Sequence, residues 1–117
     1  MAFTGTHDND TTHGWWKCLH QSAQKNGSSQ ASIEVARAKA YLQTDGHEIA
    51  WSFIQAVMTS VANISIIPML DILGLSTTAR MNVPGRAEGN WRWRYSPKAI
   101  TPALVERLRR ITEVSGR

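Results

Sequence analysis

Near the start of the chain, His7-Asp8-Asn9-Asp10, with His13 three positions on, forms the densest cluster of side chains that could carry chemistry. Three kinds of chemistry suit it. Histidine and carboxylate side chains are ligands for zinc or manganese, but His20 and His47 are isolated, so no second cluster offers to complete a coordination sphere. Asp8-x-Asp10 does not continue as a calcium loop, because His13 occupies the position that needs glycine. A second reading is structural: Asx residues after a strand close a turn and cap the next helix. The third is a sugar site. Glycosyl transfer passes through an oxocarbenium-like state, and a carboxylate hydrogen-bonded to ring hydroxyls tightens its hold as positive charge develops. Aspartate is short, ionised and bidentate, and a neighbouring histidine can donate to a hydroxyl of the same ring.

Other residues invite weaker readings. In Trp91-Arg92-Trp93-Arg94-Tyr95 the alternation could stack bases and pair with phosphates, as in a single-strand nucleic-acid binder. Period-two alternation equally places both tryptophans on a buried side and both arginines outside. Trp15 and Trp16 could offer a sugar-stacking face, although a core role for at least one is expected. Cys18 has no base or metal partner nearby and reads as a structural thiol. Glu48, Glu106 and Glu113 lie in helical stretches and suit capping or solvent-facing roles, and Glu34 lies on a helix beside a polar loop. Retaining glycosyl chemistry needs two carboxyls about 5 Å apart across the scissile bond, and nothing in the sequence suggests such a pair.

The elements that must position these residues follow from pattern. Met1 to Thr6 is a short strand-like run that delivers His7 to Asp10 at its end, where α/β enzymes place chemistry. A helix is expected over 15–21, a loop over the polar tract Gln24 to Gln30, and a second helix over 31–43 with Ile33, Ala36, Ala40 and Leu42 on one side. Asp45 and Glu48 form a capping-box-like pair ahead of a stripe at Ile49, Phe53, Ile54, Val57, Met58 and Val61. Residues 63–70 read as a buried strand ending near Pro68, with Asp71 at its far end. The region from Gly74 to Gly89 is loop, turning at Pro84-Gly85. Thr101 as N-cap and Pro102 at the first helical position launch a last helix, with Leu104, Leu108 and Ile111 as its apolar face and Gly116 at its end.

The order is strand, helices, strand, loop, helix. Two parallel strands do not make a satisfactory sheet alone, so an α/β unit larger than this chain is expected. At 117 residues the chain is one domain's worth of polypeptide or less. Its 42% hydrophobic and 19% charged residues are ordinary for a globular protein, and a net charge of +4 is only weak support for an acidic partner. One cysteine excludes an internal disulfide framework. No signal-peptide pattern opens the chain and no run is apolar enough to span a bilayer, so a soluble, cytoplasmic protein is expected.

Several blocks together resemble the 4-alpha-glucanotransferase (amylomaltase) family. Thr4-Gly-Thr-His-Asp-Asn-Asp-Thr11 followed by Gly14-Trp15-Trp16 is similar to the family's signature at the end of the seventh barrel strand. Ser60-x-Ala62, Ile67-Pro68 and Asp71-x-Leu73-Gly74-Leu75 resemble its eighth strand and following loop. Ala79-Arg-Met-Asn-Val-Pro-Gly85 and Gly89-Asn-Trp-Arg-Trp-Arg94 resemble two further stretches in the family's order. The resemblance runs from about residue 3 to residue 117 and is least specific over 17–45. It implies an α/β fold, the C-terminal part of a (β/α)8 barrel holding about strands seven and eight with their helices. On this reading residues 1–117 are one segment of a single catalytic domain, and the remaining N-terminal part of the barrel is its partner. The implied activity is transfer of α-1,4-glucan segments between maltooligosaccharides with retention, needing no cofactor, metal, nucleic acid or membrane. Asp8 falls on the family's transition-state-stabilising carboxylate, His7 on a sugar-contacting histidine and Asn82 on a substrate-binding position. The family's nucleophilic Asp and acid/base Glu lie upstream of these motifs, so the isolated chain is expected to be inactive and poorly soluble. Leu70 stands where the family usually has Gln, and Thr78 where an acidic residue usually precedes Ala-Arg-Met-Asn; the second change would deprive Arg80 of a partner. The alternative is a small non-catalytic domain binding glucan or single-stranded nucleic acid.

Overall fold

A computed structural model describes residues 1–25 and 29–117. Strand β1 (Ala2–Phe3) is followed by helices α1 (Thr12–Lys25), α2 (Ser29–Leu42) and α3 (Ile49–Met58), strand β2 (Ser65–Ile66), the single helical turn α4 (Met69–Ile72) and helix α5 (Pro102–Val114). Two short 3-10 turns, Thr77–Ala79 and Pro97–Ala99, punctuate the long connection between α4 and α5. β1 and β2 pair in parallel, Ala2 opposite Ser65 and Phe3 opposite Ile66. The helices between them form the crossover that parallel pairing requires. Both strands therefore deliver their C-terminal ends, and the loops that follow, to the same edge of the molecule.

Helix α1 starts three residues before the expected Trp15, because the Thr11 hydroxyl accepts a hydrogen bond from the Gly14 amide at 2.9 Å in the manner of an N-cap. Trp16 is buried, as expected for one of the tryptophan pair, while Trp15 is half-buried with its ring edge-on to Phe53 at 5.7 Å. Gly46, at φ +89°, lies against the Trp16 indole: a Cβ there would come within 2.7 Å of the ring. Backbone conformation and space both call for glycine.

Helix α3 carries most of the core through Ile49, Ala50, Ile54 and Met58. Its expected stripe stops short of Val61, which lies beyond the helix and is fully exposed. The expected capping box does not form. The Asp45 carboxylate accepts from the His47 amide at 2.8 Å, and Glu48 makes no capping bond, its carboxylate being held instead by Arg107 on α5. Arg117 covers the other end of α3, donating to the Met58, Ser60 and Ala62 carbonyls at 2.7, 3.0 and 2.6 Å. A cation there complements the negative end of the helix.

Three further expectations change. Helix α2 turns Ala31, Val35, Ala38 and Leu42 inward, while Ile33, Ala36 and Ala40 are exposed; the stripe at i, i+4, i+7 and i+11 outweighs the larger isoleucine. The buried strand over 63–70 is only Ser65–Ile66, with Ile64 and Ile66 exposed, because a two-stranded sheet has no further layer to cover them. Asp71 lies in the turn of α4 and is buried. Of the loop expected over 24–30, residues 26–28 lie outside the described residues, and the flanking positions belong to α1 and α2. Helix α5 is as expected: the Thr101 hydroxyl accepts from the Leu104 amide at 3.2 Å, and Pro102 holds the first turn. No helix among the described residues is long and apolar enough to cross a membrane.

Candidate functional site

Three acceptors divide the work of ordering the loop after β1. Asp71, 2% exposed, accepts from the Thr4 hydroxyl at 2.7 Å and from the Thr12 amide and hydroxyl at 2.9 and 3.0 Å. One buried carboxylate thus fastens the exit of β1, the start of α1 and the turn after β2 to each other. Buried charge survives only where it is matched by donors. Asn9 closes the turn, its Oδ1 accepting from the Thr6 amide and the Thr6 hydroxyl, both at 2.8 Å. Asp10 accepts from the Thr11 amide at 2.7 Å and from the Thr77 hydroxyl at 2.9 Å, drawing the 3-10 turn over the start of α1. That approach depends on Gly14, where a Cβ would come within 2.8 Å of both Asp10 carboxylate oxygens.

Asp8 is left out of this local bonding. Its Oδ1 accepts from the Asn82 side-chain amide at 2.6 Å and lies 3.4 Å from His7 Nε2. Its Oδ2 receives no hydrogen bond among the described residues. The His7 and Asp8 side chains are 57% and 52% exposed, so both face water. The capping and turn-closing roles that compete for an Asp in this segment fall to Asn9 and Asp10. Asp8 does not line the hollow of about 290 Å³ formed by Phe3, Asn9, Asp10, Trp15 and their neighbours. It stands on an open shelf.

The loop from Arg80 to Trp91 forms the other wall. Arg80 donates from Nη2 to the Asp8 carbonyl at 2.6 Å and from Nε to the Asn82 carbonyl at 2.9 Å, so one guanidinium joins the two loops. The absence of an acid at position 78 therefore does not leave Arg80 unpartnered: its planar fork takes two backbone carbonyls. Val83 to Arg86 form a tight turn, the Arg86 amide donating to the Val83 carbonyl at 3.1 Å with Gly85 at φ +81°, as Pro84-Gly85 leads one to expect. Asn90 Oδ1 accepts from the Val83 amide at 2.9 Å, and the Trp91 amide donates to the Met81 carbonyl at 2.6 Å. This folds the loop back until the Trp91 ring lies 5.1 Å from that of His7, tilted by 40°.

The structure thus brings His7, Asp8 and Asn82 together from positions more than 70 apart in sequence. Arg80 and Trp91 were not expected there. The segment 91–95 is not a strand: Trp91 has φ +61°, which breaks any alternation, and it is exposed rather than buried. The preceding Gly89-Asn90 pair was the available signal, since both residues favour a chain reversal. Arg94 turns back on its own loop, donating to the Trp91 and Trp93 carbonyls at 3.2 and 2.9 Å, so it is not presented to a phosphate backbone. Among the described residues no three His, Cys, Asp or Glu side chains converge as a metal site. What the shelf offers is a half-open carboxylate, an amide, an imidazole and an indole on one face. That mixture suits vicinal hydroxyls flanked by an apolar C–H surface.

Residues 1–101 match the family model described as 4-alpha-glucanotransferase. Over 121 aligned residues the chain is 41% identical to the chloroplastic/amyloplastic 4-alpha-glucanotransferase of Arabidopsis thaliana, covering 100% of this chain and 19% of that protein. It is also 41% identical over 117 residues to the 4-alpha-glucanotransferase of a Synechocystis species, covering 100% of this chain and 21% of the relative. A solved amylomaltase from Streptococcus agalactiae, in complex with acarbose, superposes with a TM-score of 0.80 at 28% identity, over 98% of this chain and 21% of that one. The chain spans about a fifth of the length of these relatives.

Proposed function

This chain belongs to the 4-alpha-glucanotransferase family, and from that premise we propose that it supplies one wall of the sugar site in a (β/α)8 barrel transferring α-1,4-glucan segments between maltooligosaccharides. In this reading β1 and β2 are the barrel's seventh and eighth strands, and the loops after them lie at its catalytic edge. The exposed edges of the two-stranded sheet are then covered by neighbouring strands of the same barrel. The reaction breaks one glucosidic bond and forms another at the same anomeric carbon. Two inversions give retention, through a glucosyl group carried on an enzyme carboxylate. That nucleophile and the general acid/base are assigned to chain outside these 117 residues.

Asp8 acts on the sugar ring. Its free Oδ2 accepts from a ring hydroxyl, and the bond strengthens as the anomeric centre becomes cationic, so the transition state is held more tightly than the ground state. His7 donates to the same ring. Asn82 fixes the carboxylate by its hydrogen bond to Oδ1. The observation that carries the proposal is the division of labour among the three consecutive Asx residues. Asn9 and Asp10 satisfy the local backbone and neighbouring threonines, and Asp8 keeps an acceptor facing solvent.

The test grafts these 117 residues in place of the matching segment of the Synechocystis relative and follows glucose release from maltotriose. The graft is expected to be active, and Asp8→Asn, which keeps shape and removes charge, to lower turnover by about two to three orders of magnitude. A variant within about threefold of the parent graft would overturn the role given to Asp8. The 117-residue chain alone is expected to release no glucose; clear transfer by it would overturn the assignment of the other catalytic groups to chain outside it.

A further inference from the structure

Trp91 is the one exposed tryptophan of five. Trp16 is buried, Trp15 and Trp93 are half-buried, and the half-buried Trp51 is covered by the Arg107 guanidinium at 4.0 Å from its ring centre. Trp91 also has φ +61°, a conformation that costs a bulky side chain about 1 kcal/mol or more. Burial of its own ring does not offset that cost, since the residue remains 52% exposed. The conformation is held by the surrounding loop, through the Trp91 amide on the Met81 carbonyl at 2.6 Å and the Val83 amide on Asn90 at 2.9 Å. Strain kept in place by a loop that presents an aromatic face to water is the signature of a built contact surface. The His7 imidazole bridges this indole to the Asp8 carboxylate, at 5.1 Å between rings and 3.4 Å from Nε2 to Oδ1.

We propose that the Trp91 indole is a stacking platform for the glucosyl unit next to the one held by Asp8, so that the shelf accommodates two consecutive units of an α-1,4-glucan. This rests on the sugar reading of Asp8 and adds a residue that sets how the chain of sugars leaves the reacting position. A pyranose presents a face of C–H bonds to an aromatic ring, and the indole supplies that apolar surface beside a carboxylate and an amide that take hydroxyls. His7, packed between the two, serves both units.

The experiment titrates the ¹⁵N-labelled graft of these 117 residues in the Synechocystis relative, with the relative's nucleophilic aspartate replaced so that sugars are not turned over, with maltotriose and maltoheptaose and follows the indole N–H resonances, that of Trp91 being identified by its loss in Trp91→Phe. The Trp91 resonance is expected to move on sugar binding. Trp91→Ala is expected to weaken binding about fivefold to tenfold, with Trp91→Tyr within about twofold of the parent. Asp8→Asn is expected to weaken binding as well. If Asp8→Asn weakens binding and Trp91→Ala does not, the stacking role is overturned and the reading of Asp8 stands. If Trp91→Ala weakens binding while Asp8→Asn neither weakens it nor lowers turnover of the active graft, the reading of Asp8 falls and stacking survives. An unchanged Trp91 resonance while others move overturns the platform without recourse to any variant. A graft that binds neither sugar overturns both, as does a Trp91 shift with oligothymidylate and none with maltoheptaose.

Discussion

The loops around Asp8 and the flank between α3 and α5 each bring an arginine to a carboxylate, and they use it in opposite ways. On the flank, Arg107 donates to both oxygens of Glu48 at 2.8 and 2.9 Å while its guanidinium covers the Trp51 ring. That carboxylate has a donor on each oxygen. At the shelf, Arg80 ignores the carboxylate and donates to the carbonyls of Asp8 and Asn82. A neutral amide takes Oδ1 of Asp8, and Oδ2 receives no hydrogen bond among the described residues. Placing the cation on the backbone fixes the position of Asp8 without occupying its second oxygen. An arginine paired with a carboxylate makes structure, whereas an arginine that holds the carboxylate's backbone leaves an acceptor for a ligand.

The largest effect separating the regions should come from Asp71, beneath the shelf. Asp71→Ala leaves the Thr12 amide and two threonine hydroxyls without their acceptor and is expected to cost about 3 kcal/mol in urea unfolding of the graft. Glu48→Ala is expected to cost less than about 1 kcal/mol, because both partners are half exposed. Equal losses would mean that burial does not distinguish the two acids. A smaller effect sharpens the contrast between the arginines. Arg80→Lys keeps the charge but bonds one carbonyl at a time, and is expected to weaken maltoheptaose binding about fivefold. Arg107→Lys should leave that binding unchanged. If Arg80→Lys binds like the parent, the guanidinium is not what holds the two loops together.

Much of this is legible in the sequence. Helix α5 follows from Thr101-Pro102, the turn from Pro84-Gly85 and the core of α3 from its apolar spacing, because each is a local consequence of local residues. The convergence of His7, Asp8 and Asn82 was implied by family resemblance and by no periodicity. Within the run Asp8-Asn9-Asp10 residue type alone does not rank three short acceptors, and only the family resemblance singles out Asp8. The contacts that do so come from Thr77 and Asn82, 67 and 74 positions away. Asp71, expected at the far end of a strand over 63–70, lies in the turn of α4, and only the approach of Thr4 and Thr12 makes its burial tolerable. Trp91 was assigned to a buried face because alternation assumes extended backbone, which a positive φ at the first tryptophan breaks. Asp45 and Glu48 matched a capping box in spacing, but Arg107, 59 positions on, competes successfully for the glutamate.

That last competition supplies the finest test of the comparison. The hydrogen bonds from Arg107 hold the Glu48 carboxyl below its ordinary value, outweighing the modest opposing effect of burial. A carboxyl whose folded value is depressed adds stability above its unfolded value and loses it as pH falls through the folded one. The Glu48–Arg107 pair should therefore contribute fully at neutral pH and fade below the ordinary glutamate range, near 4.5. With both side chains about half exposed, the contribution is expected to be only about 0.5 kcal/mol. Glu48→Gln should accordingly lower the urea midpoint slightly at pH 7 and match the parent at pH 3, with maltoheptaose binding unaltered at pH 7. A midpoint difference that persists in acid would show that Glu48 stabilises α3 through the packing of its side chain rather than through charge. The flank would then owe its order to side-chain packing, that of Arg107 over Trp51 included, and not to the charge of Glu48.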